Sequence, residues 1–146
     1  GWISNSQIDR ARRFFCGIAA PRTKVLVTHH PFDFPETVAE RHLLRHARHA
    51  IDALASCDAD LYLAGHVHVP FAGSTARRYK TAHRTALIVQ AGTAVSTRTR
   101  SEPNSFNLIC VDRSLITVRH YVWDRAMAEF LVTGDRQFHH SDHGWQ

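Results

Sequence analysis

The sequence contains no apolar run long enough to cross a membrane, and its first residues do not form a signal peptide. We therefore expect a protein that is not embedded in a membrane. An initiating Met is also absent, since the chain starts with Gly1. This start is typical of a fragment or a processed chain.

Cysteine is scarce, and its three positions, Cys16, Cys57 and Cys110, are far apart. Their number is odd and their spacing does not match a metal site. Each lies beside apolar residues, a setting in which cysteine behaves as a small hydrophobic residue. The pattern predicts buried free thiols in a reducing compartment, and hence a cytoplasmic protein.

Acidic residues are fewer than basic ones, 13 against 18, which gives a net charge of +5 and a pI near 9.6. This balance alone admits a non-catalytic, basic module that binds nucleic acid. Aromatic residues, however, are not interleaved with the basic ones as a single-strand binder requires. We therefore do not expect nucleic acid as the partner, and keep that module as an alternative.

The chain has 146 residues, 44% of them hydrophobic, which is enough for one folding unit with a core. Capping-box patterns, Ser4 with Gln7 and Thr37 with Glu40, predict helices over residues 4–17 and 37–56. Short apolar or alternating runs predict strands over residues 24–28, 60–64, 69–74, 84–91, 107–112 and 116–123. Residues 1–134 form the expected domain and residues 135–146 a loose polar tail.

Histidines follow two of the predicted strands at the point where each strand ends. His29 and His30 come after the first strand, and His66 and His68 come after the second. A strand, helix, strand order predicts a parallel crossover, and ligands of such sheets collect at the carboxyl ends of the strands. We therefore expect His29, His66 and His68 to meet and to bind a metal ion, because neutral imidazole is a common metal ligand.

Further histidines recur along the second predicted helix, at positions 42, 46 and 49. This spacing could bind a metal, but no carboxylate or cysteine completes the set within the helix. We interpret these three side chains as a solvated flank.

Three short stretches resemble a known family. Residues 28–31 read Thr-His-His-Pro, residues 65–68 read Gly-His-Val-His, and residues 90–96 end a strand in a small-residue turn. They are similar to the last motifs of the calcineurin-like metallophosphoesterases, in the branch that resembles cyclic-nucleotide phosphodiesterases. The resemblance implies an α/β fold, the C-terminal half of a two-sheet sandwich, with a mixed sheet and two helices.

By the same resemblance the complete enzyme holds two divalent or trivalent ions of Mn, Fe or Zn. His29 and His66 would share one ion and His68 would bind the other. His30 would contact the phosphate as a catalytic group, support the metal ligands from behind, or simply pack. The implied reaction is hydrolysis of a phosphodiester or phosphomonoester, with a cyclic nucleotide as substrate by analogy only.

The Asp-rich motifs that open this family are absent from the sequence. The missing ligands would have to come from an N-terminal half or from another copy of the chain. We expect the chain alone to bind metal weakly and to be inactive. A mononuclear zinc hydrolase that uses only His29, His66 and His68 is the other catalytic alternative.

Overall fold

The computed structural model describes residues 1–35, 39, 42–96 and 102–146. Within them two helices cover one side of a four-stranded mixed sheet, and a four-stranded antiparallel sheet covers its other side. The predicted α/β class, with two sheets and two helices, is confirmed. None of the described helices has the length and apolar character that crossing a membrane requires.

The elements follow one another in a simple order along the chain. They are α1 (Asn5–Cys16), β1 (Val25–Val27), α2 (Ala47–Ala55), β2 (Leu61–Ala64), β3 (Phe71–Ser74), β4 (Leu87–Gln90), β5 (Ser105–Val111), β6 (Leu115–Asp124), β7 (Glu129–Ser141) and β8 (Gly144–Trp145). A short 3₁₀ turn, Thr75–Arg77, follows β3.

The first helix begins as its sequence predicts. The Ser4 hydroxyl accepts from the Gln7 amide, and the Gln7 side chain accepts from the Ser4 amide. This pair satisfies two backbone donors that the first turn leaves without partners. Ile8 and Phe15 then bury one face of the helix.

The second helix is shorter than predicted. It begins at Ala47, whereas residues 42–46 lie before it and His46 has a left-handed backbone, with φ of 65°. The predicted capping residues, Thr37 and Glu40, lie outside the described residues. The prediction of an α-helix over residues 42–46 is wrong, because apolar periodicity continues through a stretch that packs without being α-helical.

The mixed sheet has the strand order β1-β2-β4-β3. β1, β2 and β4 are parallel and β3 is antiparallel to β4, so the predicted parallel pairing of the two histidine-bearing strands is confirmed. Side chains alternate between two cores. Tyr62 and Ile88 pack against the helices, while Leu61, Leu87 and Val89 pack against the second sheet.

The second sheet is an antiparallel meander, β5-β6-β7-β8. The turn at residues 112–114 joins β5 to β6 as predicted, and the Asp112 amide donates to the Leu115 carbonyl. Ile116, Val118 and Phe138 form its buried face.

The C-terminal residues do not form the loose tail that the sequence predicts. Residues 135–141 belong to β7, and β8 follows. Gly144 has φ of +99°, and a Cβ there would lie 2.2 Å from the Thr85 carbonyl oxygen. The Trp145 indole donates to Asp60 at 2.9 Å. Close backbone packing and one aromatic anchor therefore attach this polar segment to the mixed sheet.

The cysteines also differ from the prediction. Cys16 and Cys57 form a disulfide that joins the end of α1 to the turn after α2, and Cys110 is free and exposed. Residues 41 positions apart carry no spacing signal, which is why the sequence did not indicate the pair. Disulfides persist mainly in oxidising compartments. The cysteines therefore no longer favour the expected cytoplasmic location.

Candidate metal centre

The parallel pairing of β1 with β2 brings two histidine loops to the same sheet edge. The Thr28 amide donates to the Leu63 carbonyl at 2.9 Å, and the Gly65 amide donates to the His29 carbonyl at 3.2 Å. These bonds continue the ladder past the last strand residues. His29 and His66 therefore start from fixed, adjacent backbone positions.

Three histidines converge at this edge. Nε2 of His29 lies 3.1 Å from Nδ1 of His66. The rings of His30 and His66 are 4.1 Å apart between centroids. One nitrogen from each of His29, His30 and His66 lies within 4.8 Å of the others.

His42 is a fourth imidazole at this place, and the sequence interpretation missed it. Its Nδ1 lies 3.4 Å from Nε2 of His66. The helix expected over this segment put His42 on a solvated flank. Because the helix begins only at Ala47, His42 instead lies at the sheet edge.

His68 lies apart from this group. Its Nδ1 forms a short contact with the Thr93 hydroxyl. The turn after β4 that carries Thr93 packs closely, since a Cβ on Gly92 would lie 2.1 Å from the Ser105 hydroxyl. The structure thus brings His29 and His66 together as expected, and adds His30 rather than His68.

The backbone of the second loop is locally strained. His66 and His68 have φ of 73° and 62°, in the left-handed region that side-chain-bearing residues rarely adopt. Such conformations persist only where the surrounding structure imposes them, and they concentrate at functional sites. Here the left-handed turn accompanies the approach of His66 to the imidazoles of the first loop.

Burial and neighbouring charges favour neutral imidazoles at His30 and His66. The pKa of His66 is lowered first by burial and then by His30, His29 and His42. The pKa of His30 is lowered by burial, the amino group of Gly1, and the same kind of histidine neighbours. The neutral form is the one that binds metal.

The loop after His30 is held by a buried carboxylate. Asp33 is fully buried and lies 2.5 Å from Nε of Arg78 and 3.4 Å from Nε of Arg77. It also accepts from the Phe34 amide at 2.9 Å. The charge of Asp33 is thus engaged in positioning the loop, and Phe34 packs in the interior.

The nitrogens of His29 and His66 fit two ligand positions of a single metal ion. Two ligands of a tetrahedral zinc ion, each about 2.0–2.1 Å from the metal, lie about 3.3 Å apart. The 3.1 Å between the His29 and His66 nitrogens is close to this separation. Among the described residues, no carboxylate belongs to the group.

Comparison with known proteins assigns no family to this chain. No family model matches the sequence, and no curated protein has a significantly similar sequence. Among solved structures, the chain is similar to a single mutant of Vps29 from Entamoeba histolytica, with 17% identity and a TM-score of 0.47. That match covers 82% of this chain, and the chain spans 58% of the length of that structure.

A double mutant of the same Vps29 is also similar, with 13% identity, a TM-score of 0.39, and coverage of 92% and 90% of the two chains. At these TM-scores neither structure assigns a family. The function has to be inferred from the histidine cluster and from the motifs that carry it.

Proposed function

We propose that this chain carries the histidine side of a metal-dependent phosphoesterase site. The single observation that supports this most strongly is the 3.1 Å approach of His29 to His66 at the carboxyl ends of adjacent parallel strands. The resemblance of the two histidine motifs to calcineurin-like metallophosphoesterases supplies the reaction class.

In this proposal His29 and His66 hold the ion, with His30 as the adjacent third ligand. A bound divalent ion would polarise a phosphoryl oxygen and favour attack by water near neutral pH. The chain's own contribution is to hold neutral imidazoles at fixed positions. The Thr28 hydroxyl helps by donating to the His30 carbonyl at 2.8 Å, which fixes the backbone of the first loop.

A two-metal site would need acidic ligands beyond these histidines. We propose that they come from an additional segment or from a second copy of the chain, with a phosphoester as the substrate. β1, which precedes His29, lies at the edge of the described sheet, and its Val27 is 70% exposed. An added strand at this edge would reach the histidines directly.

A mononuclear hydrolase is the second candidate, and one observation favours it. The group of ligand atoms within 4.8 Å consists of His29, His30 and His66, which is the number of protein ligands in many catalytic zinc sites. The two candidates differ in metal stoichiometry. The two-metal site needs two ions per chain for full activity, whereas the mononuclear hydrolase needs one.

Hydrolysis of a chromogenic phosphodiester with added Mn²⁺ tests the proposal. Because the acidic ligands are not part of the described histidine group, we expect little or no turnover from the chain alone, and His66→Ala should abolish any turnover that depends on metal. His49→Ala, which removes an exposed imidazole of α2, is the matched control and should leave the rate unchanged. Metal-dependent turnover that survives His66→Ala would contradict the proposal, as would a chain that binds no metal ion.

A further inference from the structure

A second candidate site lies between the two sheets, and the metal centre does not use it. It is an open cavity of about 240 Å³. Its walls include Phe71, Asn107, Val118, His120, Gly134 and Arg136. An apolar cavity of about 150 Å³ is enough to bind benzene, so this one has room for a ring with a small substituent.

The cavity exists because one cross-strand row lacks a side chain. Asn107, His120 and Gly134 lie opposite one another on β5, β6 and β7. A Cβ at Gly134 would lie 3.7 Å from the His120 Cβ, which is ordinary contact distance. The backbone therefore does not require glycine at this position, and its absent side chain leaves space beside His120.

The polar groups of this row form a directed chain of hydrogen bonds. The Asn107 amide donates to the Gln90 carbonyl at 2.9 Å, so its oxygen is left to accept from Nδ1 of His120, also at 2.9 Å. His120 therefore carries its proton on Nδ1, and its Nε2 lacks a hydrogen-bond partner among the described residues. Burial lowers the pKa of His120, which favours this neutral form.

Arg136 supplies the positive charge at the cavity. Its guanidinium donates to the Ala72 carbonyl and lies over the Phe138 ring, 5.1 Å from the centroid. Among the described residues, no carboxylate lies within ion-pair distance of it. A fixed cation beside apolar walls matches a ligand with an apolar body and one anionic group.

We propose that this cavity binds a small aromatic carboxylate, with the ring against Phe71 and Val118 and the carboxylate on Arg136. The uncharged imidazole of His120 adds no second cation, and the Glu102 carboxylate also acts on His120, so Arg136 is the group that attracts the anion. The binding is independent of the metal centre, which lies at the end of the parallel strands.

Titration of the full chain with benzoate, followed by NMR of the backbone amides, tests the proposal. We expect saturable shifts confined to β3 and to residues 118–120 and 134–136. Arg136→Gln should weaken binding about tenfold, because a charge-assisted contact is lost. Arg125→Gln removes an exposed cation from the turn between β6 and β7 that does not line the cavity, and should leave affinity unchanged.

Gly134→Val tests the cavity itself without removing any polar group. Valine suits a strand and would fill the space beside His120, so benzoate binding should be lost while the dispersed spectrum of the folded chain remains. Gly134→Ala should retain weaker binding. Absence of saturable binding to the unaltered chain, unchanged binding in Gly134→Val, or equal affinity for uncharged benzamide would each overturn the proposal.

Discussion

The mixed sheet and the antiparallel sheet bury their strands to different extents. All four residues of β4 are buried, whereas Phe138 is the single buried residue among the 13 of β7. The central strands of the mixed sheet, β2 and β4, lie between the helices and the second sheet and are enclosed on both faces, while the antiparallel sheet has one face in solvent. The first is stabilised mainly by burial, and the second by strand pairing and one apolar face.

The same difference separates the two candidate sites. Parallel strands end at a common edge, so their loops place His29 and His66 together. The antiparallel meander instead places residues of neighbouring strands in rows, and the row that ends at Gly134 leaves a cavity. The position of each site thus follows from the geometry of its sheet.

The largest expected effect tests the burial difference directly. Ile88→Ala in β4 should lower the free energy of unfolding by about 2–5 kcal/mol, because its fully buried side chain leaves a cavity. Val132→Ala in β7, where the side chain is 51% exposed, should change it by about 0.5 kcal/mol or less. Urea denaturation measures both, and equal losses would refute the comparison.

The disulfide should stabilise the helical side of the molecule. Cys16→Ser removes the link between α1 and the turn after α2. We expect the free energy of unfolding to fall by about 2–4 kcal/mol, because the cross-link no longer restricts the unfolded chain. Cys110→Ser changes a free, exposed thiol of the antiparallel sheet and should have little effect. The unfolding midpoints of the two variants under non-reducing conditions decide this, and indistinguishable midpoints would exclude a stabilising link.

Two carboxylates offer a third contrast, Asp33 in the loop after β1 and Asp135 in β7. Asp33→Asn should lower the free energy of unfolding by about 1–3 kcal/mol, because the buried carboxylate accepts from two arginines and a backbone amide. Asp135→Asn breaks a surface pair with Arg119, in which both side chains are more than 40% exposed, and should cost about 0.2–1 kcal/mol. Denaturation at low and high salt measures both costs. A larger loss for Asp135→Asn would reverse the expected order.

The smallest effect concerns His120. Burial lowers its pKa below the ordinary 6.5, and the Glu102 carboxylate opposes this in part. The folded state therefore binds a proton less readily than the unfolded chain. The associated stability is present above pH 6.5 and is lost as the pH falls through the lowered pKa. NMR titration of the His120 ring should give a pKa below 6.5, and a value above it would contradict the buried geometry.

Much of the fold follows from local sequence patterns. The capping box at Ser4 and the apolar runs before His29 and His66 predict the first helix and the two parallel strands. β7 escapes such a prediction because most of its side chains are exposed, so pairing with β6, rather than an alternating apolar face, makes it a strand. Gly144 is informative only once the Thr85 backbone beside it is known.

The candidate site follows from the sequence only in part. His29 and His66 can be predicted because each follows the end of a strand. The strand, helix, strand order makes these two strands parallel, so their ends lie at the same edge of the sheet. His42 and the separation of His68 are tertiary outcomes. The first depends on where α2 begins, and the second on the turn that presents Thr93. Neither is encoded in the spacing of the histidines.

Calorimetric titration with Zn²⁺ tests the central claim, that His66 is the middle of a metal site at the end of the parallel strands. The unaltered chain should bind one ion. His66→Ala should lose this binding, while His68→Ala and the exposed control His49→Ala should retain it. Binding that survives His66→Ala but disappears in His68→Ala would contradict the account, as would a chain that binds no ion.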